Sequence, residues 1–280
     1  NSSSSFQLNI LRHVLRLPVE PLRAIYHQPM FHKMFGKKST QQQQKTDVDI
    51  DTADVAEELA AMRTSNSSPK EQQKTPKCPF SAIKLNIVGS SHTKSTDTAG
   101  LLNEIGGSTK LKEMATLFYS RMFVDAHLDQ FVHSHDDPHA ERISDWMAEK
   151  MGGEGDIWTT KRMHRPRKVV QLHGGQPFIV TDRSSAHYAA WNSTKRSPNV
   201  VGTHFKLPDS RNWLRLMLWS ARDVGLLDNP RFADWYMRFL GHFVRIYASE
   251  APQFVRESAR WSTNPDNIKA YEQGGRYMKD

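Results

Sequence analysis

The chain predicts an all-α domain. Three observations carry that expectation: apolar residues recur three and four apart in several segments between residues 109 and 247, cap residues open those segments, and glycines close them. No comparable stretch alternates with the period of two that a sheet requires.

In chain order, residues 39–80 are rich in Gln, Ser and Lys and almost free of aromatics, so they offer too little apolar surface to offset the entropy of ordering. Residues 1–80 therefore read as a low-complexity extension, with one short helix around Val55–Met62. A domain is expected over 95–252. Within it, Ser108 is the expected N-cap of a helix from about 109 to 124, whose buried face carries Leu111, Met114, Ala115, Phe118 and Met122, with Tyr119 beside it. Asp137 and Pro138 have the chemistry of an N-cap and first position, and Gly152-Gly153 that of a left-handed stop. Ile143, Trp146, Met147 and Met151 form the stripe between them, and His139 lies on it four residues before Ile143. Residues 154–185 hold a basic run (Lys161, Arg162, Arg165, Arg167, Lys168) and Lys168–Leu172, which reads as a short strand or a loop against the core. Asp182 or Ser184 caps a short helix bearing Ala186, His187 and Ala190. Asp209 and Ser210 start a helix with Trp213, Leu216, Met217, Ser220 and Val224, stopped at Gly225, and Phe232, Tyr236, Phe239, Leu240, Phe243, Val244 and Tyr247 mark another. Residues 253–280 are polar and predict a flexible tail.

Composition narrows the function. With 280 residues and 38% hydrophobic content the chain can bury one core, and no run approaches the roughly 18 apolar residues of a membrane span. The net charge of +8 is dispersed among acids, which argues against nucleic acid as a partner. A single cysteine, Cys78, excludes an internal disulfide; it lies in Lys77-Cys-Pro-Phe80, and Cys-Pro dipeptides can ligate haem. Residues 6–38 carry one acid, Glu20, against Arg12, Arg16, Arg23 and three lysines, with Leu8, Leu11, Val14 and Leu15 on one helical face. An organellar (mitochondrial) presequence, a membrane-surface helix and a basic tail on a cytoplasmic protein all have that composition.

Phe131-Val-His-Ser-His-Asp-Asp-Pro-His139 gathers three histidines and two aspartates. It resembles the His-x-His-x-Asp-His run of metallo-β-lactamase-type zinc hydrolases. Pro138 stands where the last ligand belongs, and helical periodicity precedes the motif where that fold needs strands. His133 and His135 are therefore expected in a solvated loop. The other constellation takes one residue from each of four helices: Tyr119, His139, His187 and Trp213 would meet if those helices enclosed a flat apolar ligand, and a histidine on each side of a plane suits haem iron.

In that order the residues resemble the truncated haemoglobin family, the two-over-two globins. Ile105-Gly-Gly107 looks like the glycine pair before the family's B helix, Phe118-Tyr-Ser-Arg121 like its Phe-Tyr-x-Arg segment, Leu128-Asp-Gln-Phe131 like the Leu-x-x-Phe before the CD corner, and Lys150-Met-Gly-Gly153 like the glycine pair ending the E helix. The resemblance implies a globin-like helical sandwich holding haem b (iron protoporphyrin). It implies His187 as the proximal iron ligand, with His164, His173 and His204 as the other candidates, and Tyr119, His139 and Trp213 around the gas ligand. It also implies a haem pocket walled by Phe118, Ile143, Trp146 and Met147, with Phe131 and Val132 competing for one position. Arg162, Arg183 and Lys195 are candidates to pair with the propionates.

The function so implied is binding of oxygen or another diatomic gas such as nitric oxide, for sensing, scavenging or nitric oxide detoxification rather than bulk transport. A reductase partner and a nitric oxide dioxygenase-like or peroxidase-like activity go with it. The alternatives are a haem-free helical binding or sensor module and a zinc hydrolase using His133 and His135. The loops over 154–185 and 192–203 are longer than is usual in the family.

Overall fold

The computed structural model describes residues 82–88, 91–153 and 155–278, all within one compact unit. The expectations for residues 6–38, Val55–Met62 and Lys77–Phe80 lie outside the described residues. The protein is mainly helical: nine α-helices and two small two-stranded sheets occur among the described residues.

Order begins earlier than residue 95. A hairpin of β1 (Ile87–Val88) and β2 (Ser91–His92) buries His92 edge-on against Trp235 and Phe239, and Arg238 donates to the Ile83 carbonyl at 2.8 Å. Ser95 then caps α1 (Thr96–Glu104) through a reciprocal pair with Thr98. The expected Ser108 cap gives way to Gly106, which is left-handed at φ 92° and closes α1 while opening α2 (Gly107–Met122). Gly106 and Gly107 both take positive φ at this junction, a backbone conformation that a residue with a Cβ adopts only under strain.

The α2 face buries Leu111, Met114, Ala115 and Phe118. In α3 (His139–Met151) Pro138 occupies the N-cap position without a side-chain bond, because the Asp137 carboxylate pairs with Lys168 instead of capping. The helix stops at Gly152, φ 93°, and a Cβ on Gly153 would come within 3.0 Å of Leu102. This second glycine pair lets α1 lie close against the end of α3.

Residues 154–185 are more ordered than their composition suggests. They form α4 (Ile157–His164) and a hairpin of β3 (Lys168–Gln171) with β4 (Pro177–Val180), register Val170↔Phe178, turned at Gly174-Gly175. Val170 and Leu172 pack on Ala189 of α5 (Arg183–Trp191), which Asp182 caps through Ser185. Then follow α6 (Leu207–Asp223) and α7 (Pro230–Val244), the latter capped by Asn229. Asp209 does not begin α6; from inside its first turn, it accepts the Lys206 backbone N–H at 2.7 Å.

The expected flexible tail is folded. Helices α8 (Val255–Thr263) and α9 (Pro265–Gln273) pack back onto the body: Trp219, Trp261 and Tyr271 meet edge-on, and the Tyr271 hydroxyl donates to buried Asp125 at 2.9 Å. Two aromatic anchors, Trp261 and Tyr271, with buried Val255 and Ala259, hold a segment that is polar elsewhere. The core runs from α2, which packs on α3 and α6, to the fully buried Phe232, Trp235, Tyr236 and Phe239 of α7.

Candidate functional site

A cavity of about 570 Å³ opens between α2, α3, the α4–hairpin segment, α5, the start of α6 and the end of α7. Tyr119, His139, Trp213 and His187, drawn from four helices, all line it. So do Phe131, Val132, Ile143 and Trp146; both residues of the competing pair reach the wall. Phe118 and Met147 do not. Phe118 lies behind the wall, edge-on to Tyr119 at 4.9 Å and to Trp213 at 6.0 Å, and Met147 is buried in the core. Their helix faces were predicted, but the faces are wider than the cavity they back.

On one side, Tyr119 stacks on His139 with ring centroids 5.1 Å apart and planes at 24°. Burial pushes the Tyr119 hydroxyl up to about 12, so it stays protonated. Its hydroxyl and the Trp213 indole nitrogen have no hydrogen-bond partner among the described residues. His139 differs: its Nε2–H donates to the Ser134 carbonyl at 2.9 Å, and burial lowers its pKa, so the ring is neutral with its one hydrogen spent. The donor expected of His139 is therefore engaged with its own loop.

On the other side, His187 has Nδ1 3.0 Å from the Tyr247 hydroxyl, and Nε2 has no partner among the described residues. Burial, and then the nearby Arg183, lower its pKa to about 4. Phe205 packs edge-on against both His187 and Tyr247. The other three candidates for the proximal position, His164, His173 and His204, are exposed and not on the wall; His204 stacks on Trp191 at 4.0 Å.

The metal-cage histidines separate. His133 donates through Nε2 to the Ala189 carbonyl at 2.8 Å, whereas His135 pairs with Asp129 at 2.6 Å and stacks on Phe123. Among the described residues no group of three or more His, Cys, Asp or Glu side chains is placed to hold a metal ion.

Cations dominate the polar wall: Arg142, Arg162, Arg165, Arg167, Lys168 and Arg183 line the cavity, against Asp137, Asp182 and Asp209. Those acids are engaged. Asp137 binds Lys168, Asp182 caps α5, and Asp209 binds His127 Nε2 at 2.5 Å, which raises the His127 pKa. Arg162, Arg165 and Arg183 have no carboxylate within ion-pair reach among the described residues; Arg165 lies over Trp158 and Arg183 over Phe243. Lys195, the third expected propionate partner, is turned away to Asp129 at 3.0 Å. The basic run was visible in the sequence, but only the α4–hairpin fold aims it at a cavity. Tyr247 was legible merely as one aromatic on an apolar helix face, sixty residues from the histidine it touches.

Fold and cavity define a mainly helical protein with an aromatic, cation-rimmed cavity. No helix among the described residues is long and apolar enough to cross a membrane. No family model matches the chain, and no curated protein or solved structure matches it either.

Proposed function

We propose that the cavity holds haem b with His187 as the iron ligand, and that the protein is a globin-like, two-over-two helical gas binder. Its use would be sensing, scavenging or nitric oxide detoxification by a dioxygenase-like or peroxidase-like reaction, with electrons from a reductase. The observation that carries this reading is His187: of the four candidate histidines it is the one on the cavity wall, it is neutral, and it keeps one ring nitrogen without a protein partner.

The residues fit the group. The volume falls within the roughly 300–1,000 Å³ of cofactor-sized pockets, the walls are aromatic, and Arg162, Arg165 and Arg183 offer bidentate donors to two carboxylates. Bound there, the iron would supply an open coordination position for oxygen or nitric oxide. Tyr119 and Trp213 offer hydrogen-bond donors to a small acceptor at that position, Phe131 and Trp146 exclude water, and Tyr247 holds the His187 ring.

The full chain reconstituted with haem is expected to show a haem visible spectrum that His187→Ala loses. A colourless wild-type protein would sink the proposal. The cationic wall favours one second reading, a haem-free module for another flat anionic ligand, and binding of metal-free protoporphyrin with equal affinity in wild type and His187→Ala would favour it.

A further inference from the structure

The segment from Ile157 to Thr181, which makes α4 and the β3–β4 hairpin, contains no Asp or Glu. It holds Lys161, Arg162, Arg165, Arg167 and Lys168, so these 25 residues supply five of the chain's eight net positive charges. Two of the cations are tied down: Lys161 to Glu141 and Asp145 of α3, and Lys168 to Asp137. Arg162 is exposed and Arg165 lies half-buried over Trp158, neither with a carboxylate within ion-pair reach among the described residues.

The same segment shows three large aliphatic side chains to water. Met163, at 69%, is the most exposed large apolar residue among those described, and Val169 and Ile179 are 57% and 48% exposed. The hairpin's register explains where the last two lie. Val170 and Phe178 are paired across the strands and pack toward Ala189 of α5, so the pair one residue along, Val169 and Ile179, shares the opposite, uncovered face. Threonine would meet the β-branched preference of a strand there without wetting apolar surface.

Single-signed charge around exposed aliphatics selects among partners. A folded protein surface carries both signs, and a segment without carboxylates answers only one of them. A nucleic acid rewards cations and stacking rings, but its backbone has no use for Met, Val and Ile, and the Trp158 ring is already covered by Arg165. An anionic bilayer sets charged headgroups over an acyl layer, and of the three it alone takes both kinds of side chain. We propose that α4 and the outer face of the β3–β4 hairpin form a docking surface for an anionic lipid membrane, with Arg162 and Arg165 at the headgroups and Met163, Val169 and Ile179 entering the interface. Arg162, Met163, Arg165 and Pro166 also line the cavity, so docking brings its opening to the bilayer. This surface does not depend on what the cavity holds.

The test is sedimentation of the full, haem-free chain with vesicles of phosphatidylcholine alone or mixed with phosphatidylserine. Binding is expected to the mixed vesicles only, and it should weaken as salt rises. Arg162→Gln with Arg165→Gln should lower it roughly 10–30-fold, the effect of removing two cations from such a surface. Val169→Asn with Ile179→Asn, which spares the packed face, should lower it several-fold. In a Cys78→Ser background, an environment-sensitive dye on Val169→Cys should shift to the blue when mixed vesicles are added; the same dye on Val124→Cys, an exposed valine outside the segment, should not. No binding to either vesicle overturns the proposal, as does binding that neither double variant changes. Loss in the arginine variant alone, with no dye shift at position 169, also overturns it, because any polyanion would then serve. Tighter binding to duplex DNA than to the mixed vesicles overturns it in favour of nucleic acid.

Discussion

His139 and His187 are both lining residues, both buried enough to be neutral, and both anchored by one hydrogen bond, yet they are anchored through opposite nitrogens. His139 spends Nε2, the ring atom farther from its backbone, on the Ser134 carbonyl; His187 spends Nδ1 on Tyr247 and leaves Nε2 without a protein partner. A buried histidine becomes available to a ligand when its anchor takes the near nitrogen. The two walls thus divide the work: the Tyr119–His139 side offers a hydroxyl with a histidine packed behind it, and the His187 side offers an imidazole nitrogen.

The largest effect expected is all-or-none. His187→Ala should abolish haem uptake by the full chain in a visible-absorbance titration, while His139→Ala should leave stoichiometric binding intact. Loss in both would erase the division between the walls.

The next is acid sensitivity. Unfolded His187 takes a proton near its ordinary 6.5, whereas the folded state refuses it until about 4. Stability is therefore full above pH 6.5 and falls as pH drops toward 4, by on the order of 3 kcal/mol. In denaturant titrations of the haem-free chain at pH 7 and pH 4.5, His187→Gln should lose less on acidification than wild type. His127 has the opposite sign. Asp209 raises its pKa, so its contribution is complete below pH 6.5 and vanishes as pH rises through the raised value. Removing it with His127→Ala should cost about 1 kcal/mol at pH 6 and less at pH 9.

Intermediate in size is ligand retention in the haem-loaded protein. Tyr119→Phe removes a donor that nothing else occupies, and stopped-flow release of a diatomic ligand should quicken about ten- to hundred-fold, the worth of roughly 1.5–3 kcal/mol. His139→Ala should change release less, because its hydrogen is already given to Ser134. The reverse order would mean that His139 turns toward the ligand.

The smallest effect concerns the rim. Arg162→Gln with Arg165→Gln should weaken binding of metal-free protoporphyrin a few-fold and leave its dimethyl ester unchanged in fluorescence titration, since exposed ion pairs contribute only about 0.2–1 kcal/mol each. Lys195→Gln, its cation turned to Asp129, should do nothing to either.

Much of this was legible before any coordinates. The stripes of α2, α3, α6 and α7, the stop at Gly152 and the cap at Asp182 follow from local spacing, and four residues taken from four helices, Tyr119, His139, His187 and Trp213, do share one cavity. What failed locally failed where a distant partner won. Asp137 has good capping chemistry, but Lys168 takes its carboxylate; residues 255–273 look too polar to fold, but Trp219 and Asp125 supply the surfaces that Trp261 and Tyr271 need. The helix α4 was missed because none of its side chains is fully buried, so no apolar stripe announces it.

Helix faces, the cap at Asp182 and the stops at Gly152 and Gly225 were determined by the sequence alone, since each depends on backbone sterics and on neighbours three or four residues away. Which nitrogen of each histidine is engaged, which arginines face the cavity and whether the C-terminal segment docks were decided only by the tertiary structure. Hydrogen bonds and ring contacts between residues tens of positions apart have no period in the chain, and they exist only once packing has brought their two halves together.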